Sequence, residues 1–352
     1  MLPPLTLKYL KEFTDDTGLL QHAKYFVPDR KEGYSTDDNA RALVVVSKYY
    51  NMHPIESITR LARTYLSFLY YMHRSDGLFY NKLSYDRQHR WDISDESYGR
   101  AIWGCASLYS SKMPDKLRLP ARELINSSLN AVNNLQAPRG MAFTIMGLYE
   151  FFFTTKEERI LEIIKRLAWK LVELYDNISD KSWKWFENIL TYENARLPQA
   201  LFLAYDIIKE RRFLEVATET FEFLCKVTII KGIFWPIGNR GWYIRNGPRS
   251  LYDQQPVEAG SMVEAAITGF KVTGRQEYIE IARIAMEWYL GRNSIRVKLY
   301  DEESGGCYDG ITPHGLNYNQ GAESALSFLL ARLKFEEVPL KIRQILTKPT
   351  IY

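Results

Sequence analysis

The sequence predicts an all-α fold of the (α/α)6 class, a toroid of six inner and six outer helices with long loops on one rim. Segments with apolar residues at i, i+3, i+4 and i+7 recur nearly end to end, whereas strand-like alternation is confined to short connections. The segments alternate between two kinds, one apolar nearly all round, as at 40–47, and one with a charged stripe, as at 156–170. Because a helix without a polar face must be buried on every side, this alternation predicts an inner ring covered by an outer ring.

Long connections precede the predicted inner helices, whereas the turns before the outer helices are short. Because function usually resides in elaborated loops, the loop-rich rim is the predicted site. No linker or low-complexity tract interrupts the pattern, so one domain is predicted over 1–352, with a two-domain split near 180 as the alternative. The predicted inner helices are 36–50, 95–111, 139–154, 191–209, 256–273 and 319–334; the outer helices are 5–13, 56–74, 117–135, 156–178, 211–228 and 275–291; the long connections are 75–94, 179–190, 229–255 and 292–318.

The composition excludes several classes of protein. The net charge of +4 is spread over helices of mixed sign, so neither a nucleic acid nor a membrane is the expected partner. The cysteines Cys105, Cys225 and Cys307 lie far apart without ligand spacing, and we expect no disulfide framework, metal or cofactor. The N-terminus lacks a signal-peptide pattern, and no apolar run approaches the ~20 residues that span a bilayer. A soluble cytoplasmic protein is expected.

An acid-amide-Ala-Arg signature occurs twice, at 38–41 and at 193–196, each time near the start of a predicted inner helix. Five of the six inner starts are expected to place an acid in the first helical turn. Such acids complement the helix dipole, and an Arg one turn later forms a local ion pair, which is a purely structural explanation. However, an uncompensated charge on an otherwise buried helix is costly, so we also expect a funnel lined by carboxylates, amides and arginines.

Aromatic residues in the glycine-rich rim loops predict a carbohydrate ligand. Trp235, Trp242 and Tyr243 accompany Asn, Gln, Asp and Arg side chains in the loop 229–255. Flat apolar faces stack on the C–H surfaces of pyranose rings, and planar polar groups pair with hydroxyls. The predicted substrate-binding residues are Asp37, Asp38, Asn39, Arg41, Glu96, Tyr98, Arg139, Trp185, Asn188, Glu193, Asn194, Trp235, Trp242, Tyr243, Gln254, Gln255, Asp309, His314, Asn319 and Glu323.

Hydrolysis of a glycosidic bond requires two carboxyl groups, one protonated and one ionised. Glu187 follows Trp185-Phe186, an apolar setting that suits a proton donor, and Asp253 and Glu258 are the candidate bases. The candidates are numerous, and the sequence does not choose among them. The nine carboxyls are Asp37, Asp38, Glu96, Glu187, Glu193, Asp253, Glu258, Asp309 and Glu323.

Other chemistries lack their motifs. The sequence contains no GxSxG elbow, Walker loop, GxGxxG after a strand or HExxH. Its five histidines are scattered, and only His314 lies in a rim loop, which weighs against a histidine-dependent epimerase without excluding it.

Four motifs together resemble a poorly characterised family of (α/α)6 proteins: STDDNARA at 35–42, WFE at 185–187 with TYENARLP at 191–198, YDQQPVEA at 252–259, and NQGAES at 319–324. Its members look like six-hairpin glycosidases and often accompany glycosyltransferases, and the resemblance spans about 15–335. It implies a toroid and sugar chemistry, with no settled catalytic residues to carry over, and a mannose-containing substrate would suit it. We therefore expect a glycoside hydrolase acting on an oligosaccharide or glycoside. The alternatives are a sugar epimerase or isomerase and a non-catalytic glycan-binding partner of a glycosyltransferase.

Overall fold

The structure, a computed structural model, describes residues 2–339 and is mainly helical. Its helices alternate as the sequence predicts, because apolar and striped segments succeed each other along the chain. Among residues 2–339, no helix combines the length and the apolar composition needed to cross a membrane. The helices are α1 Lys8–Phe13, α2 Thr36–Met52, α3 Glu56–Met72, α4 Asp95–Tyr109, α5 Asp115–Ser128, α6 Pro138–Thr155, α7 Glu158–Ile178, α8 Arg196–Ile208, α9 Arg211–Thr228, α10 Pro256–Thr273, α11 Glu277–Tyr289 and α12 Ala322–Glu336, with a 3₁₀ helix at Leu129–Asn134.

The strands are two or three residues long and lie in the connections. They form antiparallel pairs β1–β2, β6–β9, β7–β8 and β10–β11 and one three-stranded sheet in the order β3-β4-β5. Their role is to shape loops. The strands are β1 Ala23–Lys24, β2 Val27–Pro28, β3 Tyr34–Ser35, β4 Lys82–Leu83, β5 His89–Arg90, β6 Ile189–Leu190, β7 Ile229–Ile230, β8 Ile233–Phe234, β9 Tyr243–Ile244, β10 Gly310–Thr312 and β11 Gly315–Asn317.

Three predicted helix starts are too early by at least three residues: α1 begins at Lys8 rather than at 5, α12 at Ala322 rather than at 319, and α8 at Arg196 rather than at 191. The expected inner helix 191–209 begins only at Arg196, because Glu193 has a φ of +44° in the left-handed region and cannot continue a helix. Within the described chain, the first turn of α8 therefore contains no acid. Acids occupy the first turn of four inner helices, α2, α4, α10 and α12, and not of five.

The packing of the chain divides it into two compact units. The N-terminal unit comprises residues 10–170, and the C-terminal unit comprises residues 2–9 and 171–339 of the described chain. The prediction of a single domain over 1–352 stays a prediction, and its residues 1 and 340–352 lie outside the described residues.

In the N-terminal unit, α2, α4 and α6 lie side by side, and α3 and α5 pack against them. Glycines allow the inner backbones to touch. A Cβ atom at Gly104 would lie 2.8 Å from the Ala40 carbonyl oxygen, and one at Gly147 would lie 2.7 Å from the Trp103 Cα. Matched positions along the three helices show that they are parallel. Their N-terminal ends therefore share one edge of the unit.

In the C-terminal unit, α8, α10 and α12 are likewise neighbours, with α9 against α8 and α11 against α10. Arg196 of α8 binds Glu264 of α10, and Gln199 contacts Thr268 one turn further along both helices. The buried Tyr289 of α11 donates its hydroxyl to the Pro256 carbonyl at 2.6 Å. Inner helices α8 and α10 are therefore parallel, and an outer helix holds the start of α10 in place.

Candidate functional site

The carboxylate of Glu258 is held at the start of α10 in the C-terminal unit. One of its oxygens accepts the backbone N–H of Glu193, and the other accepts Nδ2 of Asn194 at 3.2 Å. Asn194 is itself fixed by Thr191, through Nδ2 to the Thr191 carbonyl at 2.7 Å and through the Thr191 N–H to Oδ1 at 3.0 Å. Only 5% of Glu258 is exposed. Two N–H donors therefore hold this buried carboxyl in one orientation.

Arg196 anchors the same turn from the opposite side. Its Nε lies 3.1 Å from Oε1 of Glu193, its Nη2 lies 2.7 Å from Oε1 of Glu264, and its Nη1 donates to Gln199 at 3.0 Å. Burial alone would lower the pKa of Arg196, but the two carboxylates outweigh burial and raise that pKa above its ordinary value. The guanidinium therefore remains charged and locks the α8 start to α10.

Sequence reasoning missed Glu264. It lies between Val263 and Ala265 in the middle of an apolar helix, and it is buried. An acid in such a setting is almost never left unpaired, so its position signals a buried cation partner. The sequence alone therefore indicates that Glu264 has a buried cationic partner. It does not indicate that this partner is Arg196, which lies 68 residues earlier.

Asp253 lies five residues before Glu258, in the loop that leads into α10. Its backbone carbonyl accepts the N–H of Asn239 at 2.9 Å, which fixes the loop. Its side chain is half-buried, and among residues 2–339 no hydrogen bond or ion pair engages its carboxylate. This carboxylate is therefore available to a ligand or a water molecule.

Glu187 is half-buried and lies in the rim loop that precedes β6. Its backbone carbonyl accepts Nε1 of Trp183 at 2.8 Å. Strand β6 pairs with β9, and the N–H of Arg245 donates to the Asn188 carbonyl at 2.9 Å. Loop 179–190 and loop 229–255 are therefore joined into one structure within the C-terminal unit.

The predicted aromatic residues of this unit differ in exposure. Trp185 packs in the core against Phe186 and Phe223 and has no exposed surface, so it offers no face to a sugar. Trp235 and Trp242 are half-buried, and the Trp242 ring centroid lies 6.1 Å from that of Tyr192. Half-buried Tyr243 meets Trp183 edge-on at 5.2 Å. The aromatic surface of loop 229–255 is therefore partly accessible, whereas that of loop 179–190 is interior.

In the N-terminal unit, Asp37 and Glu96 share a buried arginine. Nη1 of Arg100 lies 3.1 Å from Oδ1 of Asp37 and 3.6 Å from Oε2 of Glu96, and the guanidinium carbon lies 4.2 Å from the Phe143 ring centroid. The two carboxylate side chains retain 23% and 18% exposure. The predicted site residues did not include Arg100, although its place one turn after Glu96 is the signal that could have identified it.

The repeated signature forms an ion pair between residues i and i+3 in both units, inside α2 in one and across the turn that precedes α8 in the other. Asp38 lies 2.9 Å from Nη2 of Arg41, three residues later, just as Glu193 pairs with Arg196. Asn39 is buried, and its amide binds the N–H and the carbonyl of Leu19. Asn39 therefore ties the start of α2 to the preceding loop, and its contact with substrate stays a prediction.

The side chains of two further predicted residues are buried and form hydrogen bonds within the protein. Tyr98 is buried and donates to the Ser128 carbonyl at 2.9 Å. Gln254 is buried, and its amide contacts Leu251, Ser294 and Trp288. Both side chains are engaged by polar partners within the protein, and their contact with substrate stays a prediction.

The other predicted residues lie in the rim loops or at the starts of inner helices. Asp309 accepts the N–H of Gly321 and the hydroxyl of Ser324, both at 2.7 Å, and so caps α12. His314 is exposed in the β10–β11 turn. Arg139 is buried in the first turn of α6, Asn188 is exposed, and Gln255, Asn319 and Glu323 are half-buried at the starts of α10 and α12.

Comparison of the fold with solved structures finds similar proteins, whereas comparison of the sequence with family models and curated proteins finds none. No protein-family model matches the sequence, and no curated protein is significantly similar to it. A sugar epimerase from a ruminal bacterium is 13% identical over 95% of this chain and 96% of its own, with a TM-score of 0.74. A cellobiose 2-epimerase from Spirochaeta thermophila is 13% identical over 97% and 93%, with a TM-score of 0.73. A GH76 α-mannanase from Bacteroides thetaiotaomicron is 13% identical over 93% and 92%, with a TM-score of 0.65.

Such identities establish the fold alone. The predicted fold class is confirmed: the chain has the (α/α)6 fold.

Proposed function

We propose that the protein is a carbohydrate-active enzyme that hydrolyses a glycosidic bond in an oligosaccharide or glycoside. The observation that carries this proposal is the pair of carboxylates at the start of α10: Glu258 is held by two N–H donors, and Asp253 has no partner among residues 2–339. The proteins of similar fold act on sugars by their descriptions, as an epimerase of sugars, an epimerase of cellobiose and an α-mannanase.

Each carboxyl is assigned one role. Glu187 donates a proton to the glycosidic oxygen as the bond from that oxygen to the anomeric carbon breaks. Asp253 accepts a proton from the water molecule whose oxygen forms the new bond to that carbon from the opposite face, which inverts its configuration. Glu258, oriented by Asn194 and the Glu193 N–H, stabilises the positive charge that develops on the sugar ring. The half-buried position of Asp253 supports its role, because a base must meet water.

Epimerisation is the second candidate, because two of the compared structures with the highest fold similarity are epimerases. The histidines of this chain favour hydrolysis. His73 is hydrogen-bonded to Ser128, His89 to the Tyr71 carbonyl, and His314 is exposed in a hairpin turn. No histidine side chain of residues 2–339 shares a hydrogen bond or ion pair with Asp253 or Glu258 in the interactions described. A carboxylate pair is therefore the chemistry that this chain offers.

The proposal is tested by proton NMR on a panel of mannosides, glucosides and the corresponding free sugars. We expect new reducing ends from the glycosides and no interconversion of gluco and manno sugars. Asp253→Asn is expected to lower kcat about 10²–10⁴-fold, the usual contribution of a general base. The matched control is Glu302→Gln, which removes an exposed carboxylate paired with Lys298 and should retain turnover.

Three results would contradict the proposal. Interconversion of free sugars without bond cleavage would favour an epimerase. Binding without turnover would favour the non-catalytic glycan-binding partner of a glycosyltransferase. Full activity of both Asp253→Asn and Glu258→Gln would remove the carboxylate assignment.

A further inference from the structure

The N-terminal unit exposes a group of aromatic side chains that the proposed reaction does not use. Tyr71, Tyr80, His89 and Trp91 line the loop between α3 and α4, and we name them the aromatic shelf. Trp91 is 84% exposed, and Tyr71 is 51% exposed. Tyr80 and His89 are half-buried. Exposed aromatic surface rimmed by polar residues is typical of an interaction site.

The rings of the shelf contact one another in a continuous series. The Trp91 and Tyr80 centroids lie 5.4 Å apart with the rings nearly perpendicular, at 84°. Tyr80 stacks on His89 at 4.6 Å and 19°, and His89 meets Tyr71 at 4.5 Å. Each ring therefore supports the next, and Trp91 is the member that turns the most surface to solvent.

Hydrogen bonds hold the shelf in this arrangement. His89 belongs to the β4–β5 hairpin, and its Nε2 lies 3.2 Å from the Tyr71 carbonyl. The hydroxyl of Tyr71 donates to the Arg87 carbonyl at 3.2 Å. The guanidinium of Arg74 lies 4.9 Å from the Tyr80 ring centroid and is fixed to Asp76 at 2.7 Å. A surface that is ordered before binding loses little conformational entropy on binding.

The shelf is attached to the polar cluster of the same unit. The hydroxyl of Thr36 donates to the Tyr80 carbonyl at 2.6 Å, and the Thr36 N–H donates to the Asn81 carbonyl at 2.7 Å. Thr36 directly precedes Asp37, whose carboxylate binds Arg100. The aromatic surface and the carboxylates at the starts of α2 and α4 are therefore parts of one continuous structure.

We infer that the aromatic shelf is a binding subsite for a neutral oligosaccharide, in which a pyranose ring stacks on the exposed face of Trp91. The inference rests on the proposed function and specifies its substrate as a chain of several sugars. An exposed indole matches the C–H face of a pyranose, and the guanidinium carbon of Arg74 lies 5.8 Å from the Trp91 ring centroid, beside the place of the sugar hydroxyls. The charges balance, since Arg74 is paired with Asp76, and Arg90 and Asp92 flank Trp91 with opposite signs.

The experiment compares Trp91→Ala with the protein that retains Trp91, each carrying Asp253→Asn so that the titrated sugars are not cleaved, in calorimetric titrations of mannohexaose, cellohexaose, mannose and glucose. We expect affinity for at least one hexasaccharide to fall about tenfold, the loss typical of truncating an exposed aromatic anchor at a binding surface. Affinity for the monosaccharide of that series should change much less. The control, also carrying Asp253→Asn, is Trp169→Ala, which removes a tryptophan that is 40% exposed on α7 and should leave the hexasaccharide affinity unchanged. Equal melting temperatures of the two variants and the Asp253→Asn protein verify folding.

Several outcomes overturn the inference. An unchanged hexasaccharide affinity in Trp91→Ala, an equal loss for hexasaccharide and monosaccharide, or an Asp253→Asn protein with intact Trp91 that binds neither hexasaccharide would each do so. A protein partner captured through Trp91, with no effect on sugar binding, would also do so. Failure of the proposed function is distinguishable, because it appears as absent bond cleavage by the wild-type protein while the titrations still show oligosaccharide binding.

Discussion

Arg196 shows at the scale of single residues how the start of α8 is determined. One buried guanidinium contacts Glu193, Glu264 and Gln199, and it joins the turn before α8 to α10. Removing one member of a buried ion pair leaves the other charges without compensation, which costs more than the pair itself contributes. The turn that presents donors to Glu258 depends on this contact.

Arg196→Met is therefore expected to lower the free energy of unfolding by about 3–5 kcal/mol. Urea unfolding followed by circular dichroism measures the loss. Arg211→Ala is the control, because Arg211 is 89% exposed and its pair with Glu215 should contribute at most about 1 kcal/mol. Equal effects of the two substitutions would contradict the role given to Arg196.

His73 makes stability depend on pH. Burial lowers the pKa of His73 below its ordinary value of 6.5, and the nearby Asp76 opposes this only in part. Since the unfolded chain binds the proton more readily, the contribution of His73 is complete above about pH 6.5 and is lost as the pH falls through its lower folded-state pKa. His73→Gln should flatten the dependence of the melting temperature on pH below about pH 6.5. The exposed His314→Gln should not, and a slope unchanged by both would refute this assignment.

Much of the residue-level site was not predictable from sequence. Exposure of Trp185 and Trp91 cannot be read from composition, since both are tryptophans in rim loops, yet one is buried and the other is 84% exposed. The difference arises from tertiary neighbours, Phe186 and Phe223 for Trp185. The signature residues, by contrast, were correctly suspected of forming local ion pairs.

At the scale of elements, carboxylates from neighbouring segments fix the starts of inner helices. Asp95, the first residue of α4, accepts the N–H groups of Gln136 at 2.6 Å and Ala137 at 2.7 Å, just before α6. Asp309 similarly caps α12 through Gly321. These bonds satisfy donors that a helix N-terminus leaves open.

Asp95→Ala is expected to lower the free energy of unfolding by about 0.5–2 kcal/mol, the range for loss of an N-terminal cap. The same substitution at Asp115, in the first turn of α5, is the control. Its carboxylate is 73% exposed and pairs only with Arg118 in the interactions described, so the loss should be smaller. Chemical denaturation measures the free energy of unfolding of both variants. A larger decrease for Asp115→Ala than for Asp95→Ala would contradict the role given to Asp95.

The helices themselves were predictable, because periodicity is a local property of the sequence. The start of α8 was not, because Glu193 takes a left-handed conformation in a turn whose N–H binds Glu258, 65 residues away. The pairing of β6 with β9 is equally non-local, and its two-residue strands carry no pattern of their own. Long-range partners thus determine the boundaries that the local pattern leaves undefined.

At the scale of the whole molecule, the alternation of all-round apolar and striped helices was sufficient to predict the (α/α)6 class, which similarity to three solved structures over at least 93% of the chain confirms. The fold does not choose the reaction, because both epimerases and a mannanase have it. The choice rests on the carboxylates at the start of α10 and remains our proposal.

Hydrolysis by attack of water on the anomeric carbon is the central claim, and oxygen-18 water tests it most directly. A nitrophenyl glycoside is incubated with the protein in labelled water, and the masses of the products are determined by mass spectrometry early in the reaction. The account predicts one labelled oxygen in the released sugar, unlabelled nitrophenol, and loss of both products in Asp253→Asn. Interconverted sugars with the glycosidic bond intact and no label incorporated would contradict it.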